Sequence, residues 1–344
     1  MKIYLFLVVL ITFFVIGAES VTTLRGTMIN PLLEEQDFRV LASWNANHIR
    51  WQLLWGGFPH GPADKGDIPA YKAWLQTILA HLDSLIPVFR EVGIKILLDL
   101  HTPPGGRDPN DKWPLFYNQT FQDAFLTVWE MMANRYKNET QIMGYDIVNE
   151  PDDRDLIPGL KSWRDLAIAA IQRIRAIDTL HPIVIEASPV SGPHTLPNFE
   201  PVPFDNIIYS FHMYDPYKFV YQNVFSNDTP VYYPGVIDGI MWNKDQVRAD
   251  LQPIVNWQKA HNISTIHVGE FSAIRWAPGN STANYLNDCI ELFEEYGWNW
   301  DYHAFREWQG WDVEMIGDKD HPQHSPVPTD RQLLLMEWFK KNKQ

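Results

Sequence analysis

Cysteine is nearly absent: Cys289 stands alone among 344 residues. No disulfide can form within the chain, so an exported protein of this composition depends on its core for stability. Within "YLNDCIELF" the single thiol reads as part of a helix interior, where a buried cysteine is usually inert. Basic residues are also scarce. Lys and Arg total 28 against 42 Asp and Glu, for a formal net charge of −14 and a pI near 5.2. Such a surface repels nucleic acid and anionic membranes, so neither is an expected partner, whereas a neutral substrate fits. No low-complexity linker, charge block or clear internal repeat interrupts the chain. G-x-G-x-x-G and H-E-x-x-H are both missing, and no H-x-H pair follows the first apolar run. No cofactor and no metal is therefore expected.

Apolar residues make up 45% of the chain, enough for a sizeable core. Its first residues, "MKIYLFLVVLITFFVIGAES", hold one Lys, an apolar run from Ile3 to Gly17, and small residues at Ala18 and Ser20. This reads as a secretory signal peptide over residues 1–20, leaving residues 21–344 as one secreted domain. The run is short for a membrane span, and an uncleaved signal anchor is the alternative. N-x-S/T sequons occur at Asn118, Asn138, Asn227, Asn262 and Asn280.

Short apolar runs alternate with longer amphipathic stretches. The runs are "LRGTMIN" (24–30), "HIRWQLLW" (48–55), "IKILLDLH" (94–101), "IMGYDIVNE" (142–150), "PIVIEAS" (182–188), "NIIYSFHMY" (206–214), "STIHVGEFS" (264–272) and "WNWDYHAF" (298–305). Several are apolar throughout their middles, as parallel strands covered on both faces require. Helical spacing predicts helices over 70–92, ending at Gly93, over 119–137 after Asn118, and over 161–178, 243–261, 281–296 and 328–341. Residues 31–46 fit a first helix less regularly, and "PVSGPHTLPNFEPVPF" is too proline-rich for a helix after the fifth run. Eight strands with intervening helices predict a single (β/α)8 TIM barrel with long loops after strands three and six. The competing doubly wound sheet usually opens on the glycine-rich turn that is missing here.

A barrel of this kind builds its site at the C-terminal strand ends. There the chain places Arg50 in strand two, His101 at the end of three, and Asn149-Glu150 at the end of four. Strand six supplies His212 and Tyr214, strand seven Glu270, and strand eight leads into His303 and Trp308. Each taken singly has a structural explanation, but together they point into one basin. Glu150 and Glu270, 120 residues apart in sequence, would face each other across the mouth. Paired carboxylates across a cleft are the equipment for glycosidic bond hydrolysis, with one protonated and the other ionised.

"IVNEP" and "VGEFSA", with "LLDLH" before them and "SFHMYDPY" between, resemble the family-5 glycoside hydrolases, a cellulase-rich group of retaining enzymes. The resemblance covers roughly residues 24–341. It implies that Glu150 is the general acid/base and Glu270 the nucleophile. It also implies that Asn149 bonds the sugar 2-hydroxyl, that Tyr214 and Arg50 hold Glu270 ionised, that His212 bonds near the acid/base, and that His101 lines the sugar site. The family places a tryptophan platform after strand eight. "YHAFREWQGWD" departs from the commoner motif; Trp308 is chosen over Trp311, with His303 as a further participant.

Aromatic residues are abundant, at 14% with 15 Trp. Most belong to the core. The loop "DPYKFVYQNVFSNDTPVYYPGVIDGIMW" (215–242) reads as a wall of the sugar cleft. Trp113 in the loop after strand three, Trp276 after strand seven and Trp55 after strand two are candidate platforms. Such a row suits a β-1,4-linked chain cut internally. The expectation is a monomeric secreted endo-β-1,4-glucanase acting on β-linked polysaccharide or oligosaccharide. A β-mannanase, an exo-acting β-glucosidase and a non-catalytic carbohydrate-binding barrel are the alternatives.

Overall fold

Each of the eight apolar runs forms a strand, trimmed at its ends relative to the run. The computed structural model describes residues 23–54, 66–225 and 229–342. Its barrel strands span Arg25–Ile29, His48–Gln52, Lys95–Asp99, Ile142–Asp146, Ile183–Glu186, Ile207–Met213, Ile266–Phe271 and Asn299–Phe305. All neighbours pair in parallel, and the first strand pairs with both the second and the eighth, which closes the sheet. Helices Glu35–Ser43, Ile68–Val92, Gln119–Tyr136, Trp163–Arg175, Lys244–Ala260, Ser281–Tyr296 and Asp330–Phe339 surround it. This is the (β/α)8 TIM barrel.

The helix ends follow local chemistry. Asp67, Asn118 and Asn243 accept the free N–H groups of Ala70, Thr120 and Gln246. Gly93 ends its helix at φ +78, in the left-handed region that glycine enters without a Cβ penalty. The proline-rich stretch after the fifth strand holds only a short 3₁₀ turn, Leu196–Asn198, as its lack of N–H donors dictates. The 215–242 loop has secondary structure of its own: a helical turn, Tyr217–Val220, and a hairpin of Gly235–Ile237 with Ile240–Trp242.

The apolar core lies between the outer face of the sheet and the helices, where Ile49, Trp51, Leu98, Phe211 and Trp300 meet Leu79, Phe89, Trp129 and Phe293. Strand alternation sends the other face into the barrel, which such folds commonly fill with Val, Ile and Leu. Here that interior is polar. His48, Arg50, Asp99, Asp146, Glu186, His212, His267 and Asp301 are all buried. Deep in the barrel Asp301 sits 2.8 Å from His48 Nε2 and 3.0 Å from His267 Nε2. Gly26 makes this possible: a Cβ there would lie 2.2 Å from the His48 carbonyl oxygen and 2.8 Å from the Asp301 carboxylate.

Cys289 is buried in the Ser281–Tyr296 helix, and burial pushes its thiol well above the usual range. The proposed signal peptide (1–20), Trp55 and the sequon at Asn227 lie outside the described residues. Among the described residues no helix is long and apolar enough to cross a membrane.

Candidate active site

Arg50 organises the upper layer of the barrel. Its Nε donates to Asp146 at 2.9 Å, Nη1 to Glu270 at 2.8 Å, and Nη2 to Glu186 at 2.7 Å and Asn149 Oδ1 at 3.1 Å. Asp99 lies 3.3 Å from Nη2. A buried cation needs such partners, and only a guanidinium can reach groups on four strands at once. Burial opposes the Arg50 charge, yet Asp99, Asp146, Glu186 and Glu270 together hold its pKa well above the usual value. Asp146 behaves differently. Burial, aided by Glu186 and Asp99, pushes it well above the carboxylate range despite Arg50.

Glu270 is buried in the seventh strand, with His212 as its register partner on the sixth. Its Oε2 accepts the Tyr214 hydroxyl at 2.7 Å and lies 3.1 Å from His303 Nδ1 and 3.6 Å from His212 Nδ1. Burial works against its charge, but His212, His303 and Arg50 outweigh burial and hold its pKa well below the usual carboxylate value. Glu270 is therefore ionised.

The fourth strand stops at Asp146, short of the expected Asn149-Glu150 end. Glu150 lies beyond it with φ +43, a left-handed backbone rare for a non-glycine residue. Glu186 holds that turn: its Oε2 accepts the Glu150 N–H at 2.7 Å and the Ser191 hydroxyl at 2.6 Å. The Glu150 side chain is 24% exposed, with Oε1 2.8 Å from His212 Nδ1 and Oε2 4.0 Å from Arg107. His212 Nε2 faces Glu186 Oε1 at 3.1 Å. Burial disfavours a charged His212, but Glu186, Glu270 and Glu150 raise its pKa well above the usual value. Burial likewise opposes charge on Glu186, and His212 and Arg50 overcome it, lowering the pKa to about 2.

Oxygens of Glu150 and Glu270 and a nitrogen of His212 lie within 4.8 Å of one another. The shortest contact within this set is the 2.8 Å hydrogen bond between His212 and Glu150. Glu150 borders two cavities. One, of about 300 Å³, is lined by Gly192, His212, Tyr214, Asp215, Tyr217 and Tyr221. The other, of about 250 Å³, is lined by Leu54, His101, Arg107, Trp113 and Asn149 among others.

The structure thus brings Arg50, Asn149, Glu150, His212, Tyr214, Glu270 and His303 together, with His101 anchored to Asp99 at 2.8 Å beside the smaller cavity. The candidate tryptophans differ in what they pack against. The ring packed on the partners of Glu270 is Trp311, not Trp308: it lies 4.5 Å from the His303 ring and stacks on Tyr214 at 5.7 Å. Trp308 packs edge-on between Trp311 and Trp276, because the chain turns back after the eighth strand with the Trp311 N–H bonded to the Trp308 carbonyl. Trp113 is only 3% exposed and Arg107 covers its ring at 5.1 Å, so it offers no open platform. Trp276 donates its Nε1–H to the Gln222 carbonyl and so ties down the 215–242 loop. Sequence reasoning missed Asp99, Asp146 and Glu186. The signal was present, since each is an acid inside an apolar strand, where a carboxylate stays only if it is partnered.

The model of the cellulase family (glycosyl hydrolase family 5) matches residues 15–307. Endoglucanase C of Acetivibrio thermocellus is 26% identical over 299 residues, 78% of this chain and 84% of its own. Cellodextrinase A of Ruminococcus flavefaciens is 21% identical over 287 residues, 81% of this chain and 80% of its own. Among solved structures, Cel5A of Thermotoga maritima in complex with cellobiose matches with a TM-score of 0.69 at 20% identity, covering 91% of this chain and 97% of that one, a likeness of fold. The same protein has also been solved with mannotriose.

Proposed function

The chain belongs to glycosyl hydrolase family 5 and is a glycoside hydrolase; from that premise we propose that it is a secreted endo-β-1,4-glucanase that retains anomeric configuration by double displacement. In the first step Glu270 attacks the anomeric carbon while Glu150 gives its proton to the leaving oxygen, and a glycosyl ester forms on Glu270. In the second, Glu150 takes a proton from water, the water oxygen bonds the anomeric carbon, and the ester bond breaks to restore the Glu270 carboxylate.

The observation that carries this reading is the glutamate pair: carboxylate oxygens within 4.8 Å of each other, with Glu270 held ionised. Retaining pairs work at roughly 5–5.5 Å between carboxyl groups, whereas inverting pairs stand further apart to admit a water. Glu150 touches His212, whose other nitrogen meets Glu186, so the acid/base carboxyl is held in place through a histidine that is itself anchored. Arg50 occupies the Asn149 carbonyl oxygen, which leaves the amide N–H groups free to meet a sugar hydroxyl. Cavities on both sides of Glu150 support binding of sugars on both sides of the bond to be cut. Endoglucanase relatives support β-glucan as the substrate, and the apolar leader over residues 1–20 supports export.

The test is release of reducing ends from carboxymethyl-cellulose, mixed-linkage glucan, xyloglucan and mannan by wild type and Glu270→Ala. Mixed oligomers from cellohexaose, formed first as the β-anomer and abolished in Glu270→Ala, are expected. Glucose alone would indicate exo action, preference for mannan would reassign the substrate, and an initial α-anomer would overturn double displacement.

A further inference from the structure

The turn after the eighth strand adds a carboxylate to this site. Arg306 takes a left-handed backbone, φ +51, and is pinned by Glu314 and Asp37, each at 2.6 Å. That folds Glu307 back toward the barrel, where its side chain is 8% exposed and its Oε2 lies 3.1 Å from His303 Nε2. On the opposite edge of the ring, His303 Nδ1 faces Glu270 Oε2 at 3.1 Å and the Tyr214 oxygen at 2.5 Å. The Tyr214 proton is directed to Glu270, so the phenol oxygen accepts from Nδ1. Both ring nitrogens thus meet acceptors, and an imidazolium satisfies them together.

We propose that Glu307 is a positioning residue that acts through His303 on Glu270, keeping a cation beside the nucleophile so that its carboxylate departs readily from the glycosyl ester. This rests on the reading of Glu270 as nucleophile. The groups facing His303 are Glu270 from the seventh strand, Tyr214 from the sixth and Glu307 from its own turn, with Trp311 over the ring. His212 Nδ1 also approaches Glu270 Oε2, at 3.6 Å, and Arg50 donates to Oε1 at 2.8 Å. Negative charge disappears from Glu270 when the ester forms and reappears when it breaks. A cation at Oε2 therefore favours the second step above all. Burial alone would discharge the ring; Glu307 and Glu270 instead hold its pKa up to about 10, so it stays charged through neutral pH.

The experiment uses Glu307→Gln, Glu307→Asp and His303→Gln on an activated aryl cellobioside, whose fast first step leaves ester breakdown limiting. For Glu307→Gln, kcat should fall about tenfold at pH 8 and little at pH 5, as expected if loss of the Glu307 charge lowers the ring pKa by about three units from its wild-type value of about 10. KM should fall in parallel as glycosyl-enzyme accumulates, visible by mass spectrometry. Glu307→Asp should restore part of the rate, and Glu307→Gln should add nothing in the His303→Gln background. Unchanged kcat at both pH values, an equal loss at both, or additive effects would overturn the proposal, and thermal melts separate these from simple misfolding. If Glu270→Ala keeps full activity, the nucleophile reading itself fails; if it is inactive while Glu307→Gln behaves as wild type, only this inference fails.

Discussion

Arg50→Met removes a fully buried guanidinium on which carboxylates from four strands converge. Methionine fills much of the volume but leaves those acids without their shared cation. Breaking a buried ion pair from one side costs about 3–5 kcal/mol, because the remaining charge stays desolvated. At about 2 °C per kcal/mol for a domain of this size, the melting temperature should fall by roughly 6–10 °C at pH 8. The pH dependence distinguishes this cause from lost packing. In the wild type, Glu186 has its pKa lowered to about 2 and Glu270 lies well below the usual value. Both therefore add stability above the ordinary carboxylate pKa of about 4.3 and lose it as pH falls toward 2. Without Arg50 the buried, uncompensated acids should have folded pKa values past the unfolded ones, inside the range scanned, so the deficit should shrink as pH drops from 8 to 5. Arg50→Lys should be intermediate, since a point charge cannot reach all four strands. Calorimetric melts at pH 5, 6.5 and 8 measure this. A variant within about 1 °C of wild type at pH 8, or an equal deficit at every pH, would refute the reasoning.

Three further outcomes follow from the same geometry. Glu186→Gln weakens the hold on His212 and on the strained Glu150 backbone; kcat/KM on aryl cellobiosides should drop about 10- to 100-fold, comparable to losing an outer-shell partner, and more for poor leaving groups than for good ones. Gly26→Ala drives a Cβ against the His48 carbonyl and should destabilise by about 1–3 kcal/mol in urea titration, the cost of overpacking a rigid site. Asp250 is raised to about 6, chiefly by burial, with its side chain 12% exposed. An acid whose folded pKa exceeds its unfolded value destabilises wherever it is ionised. Asp250→Asn should therefore stabilise by about 1–3 kcal/mol at pH 8, with no gain below pH 4.

The alternation of apolar runs with helical periodicity determined the barrel. Spacing of that kind is local, and parallel strands buried on both faces have few other ways to be covered. The same logic found Glu150 and Glu270, since polar groups at the ends of such strands converge once the sheet closes. What remained out of reach was set by the direction of side chains after closure. "REWQGWD" cannot say which indole turns toward Glu270, because that depends on the reverse turn after the eighth strand; the fold chose Trp311. Trp113 reads as an exposed platform until Arg107 is seen lying across it. Asp99, Asp146 and Glu186 look like isolated acids along the chain. Only the closed barrel brings Arg50 between them, because a guanidinium on one strand meets acids from 49 residues away (Asp99, 99−50) to 220 residues away (Glu270) through space alone.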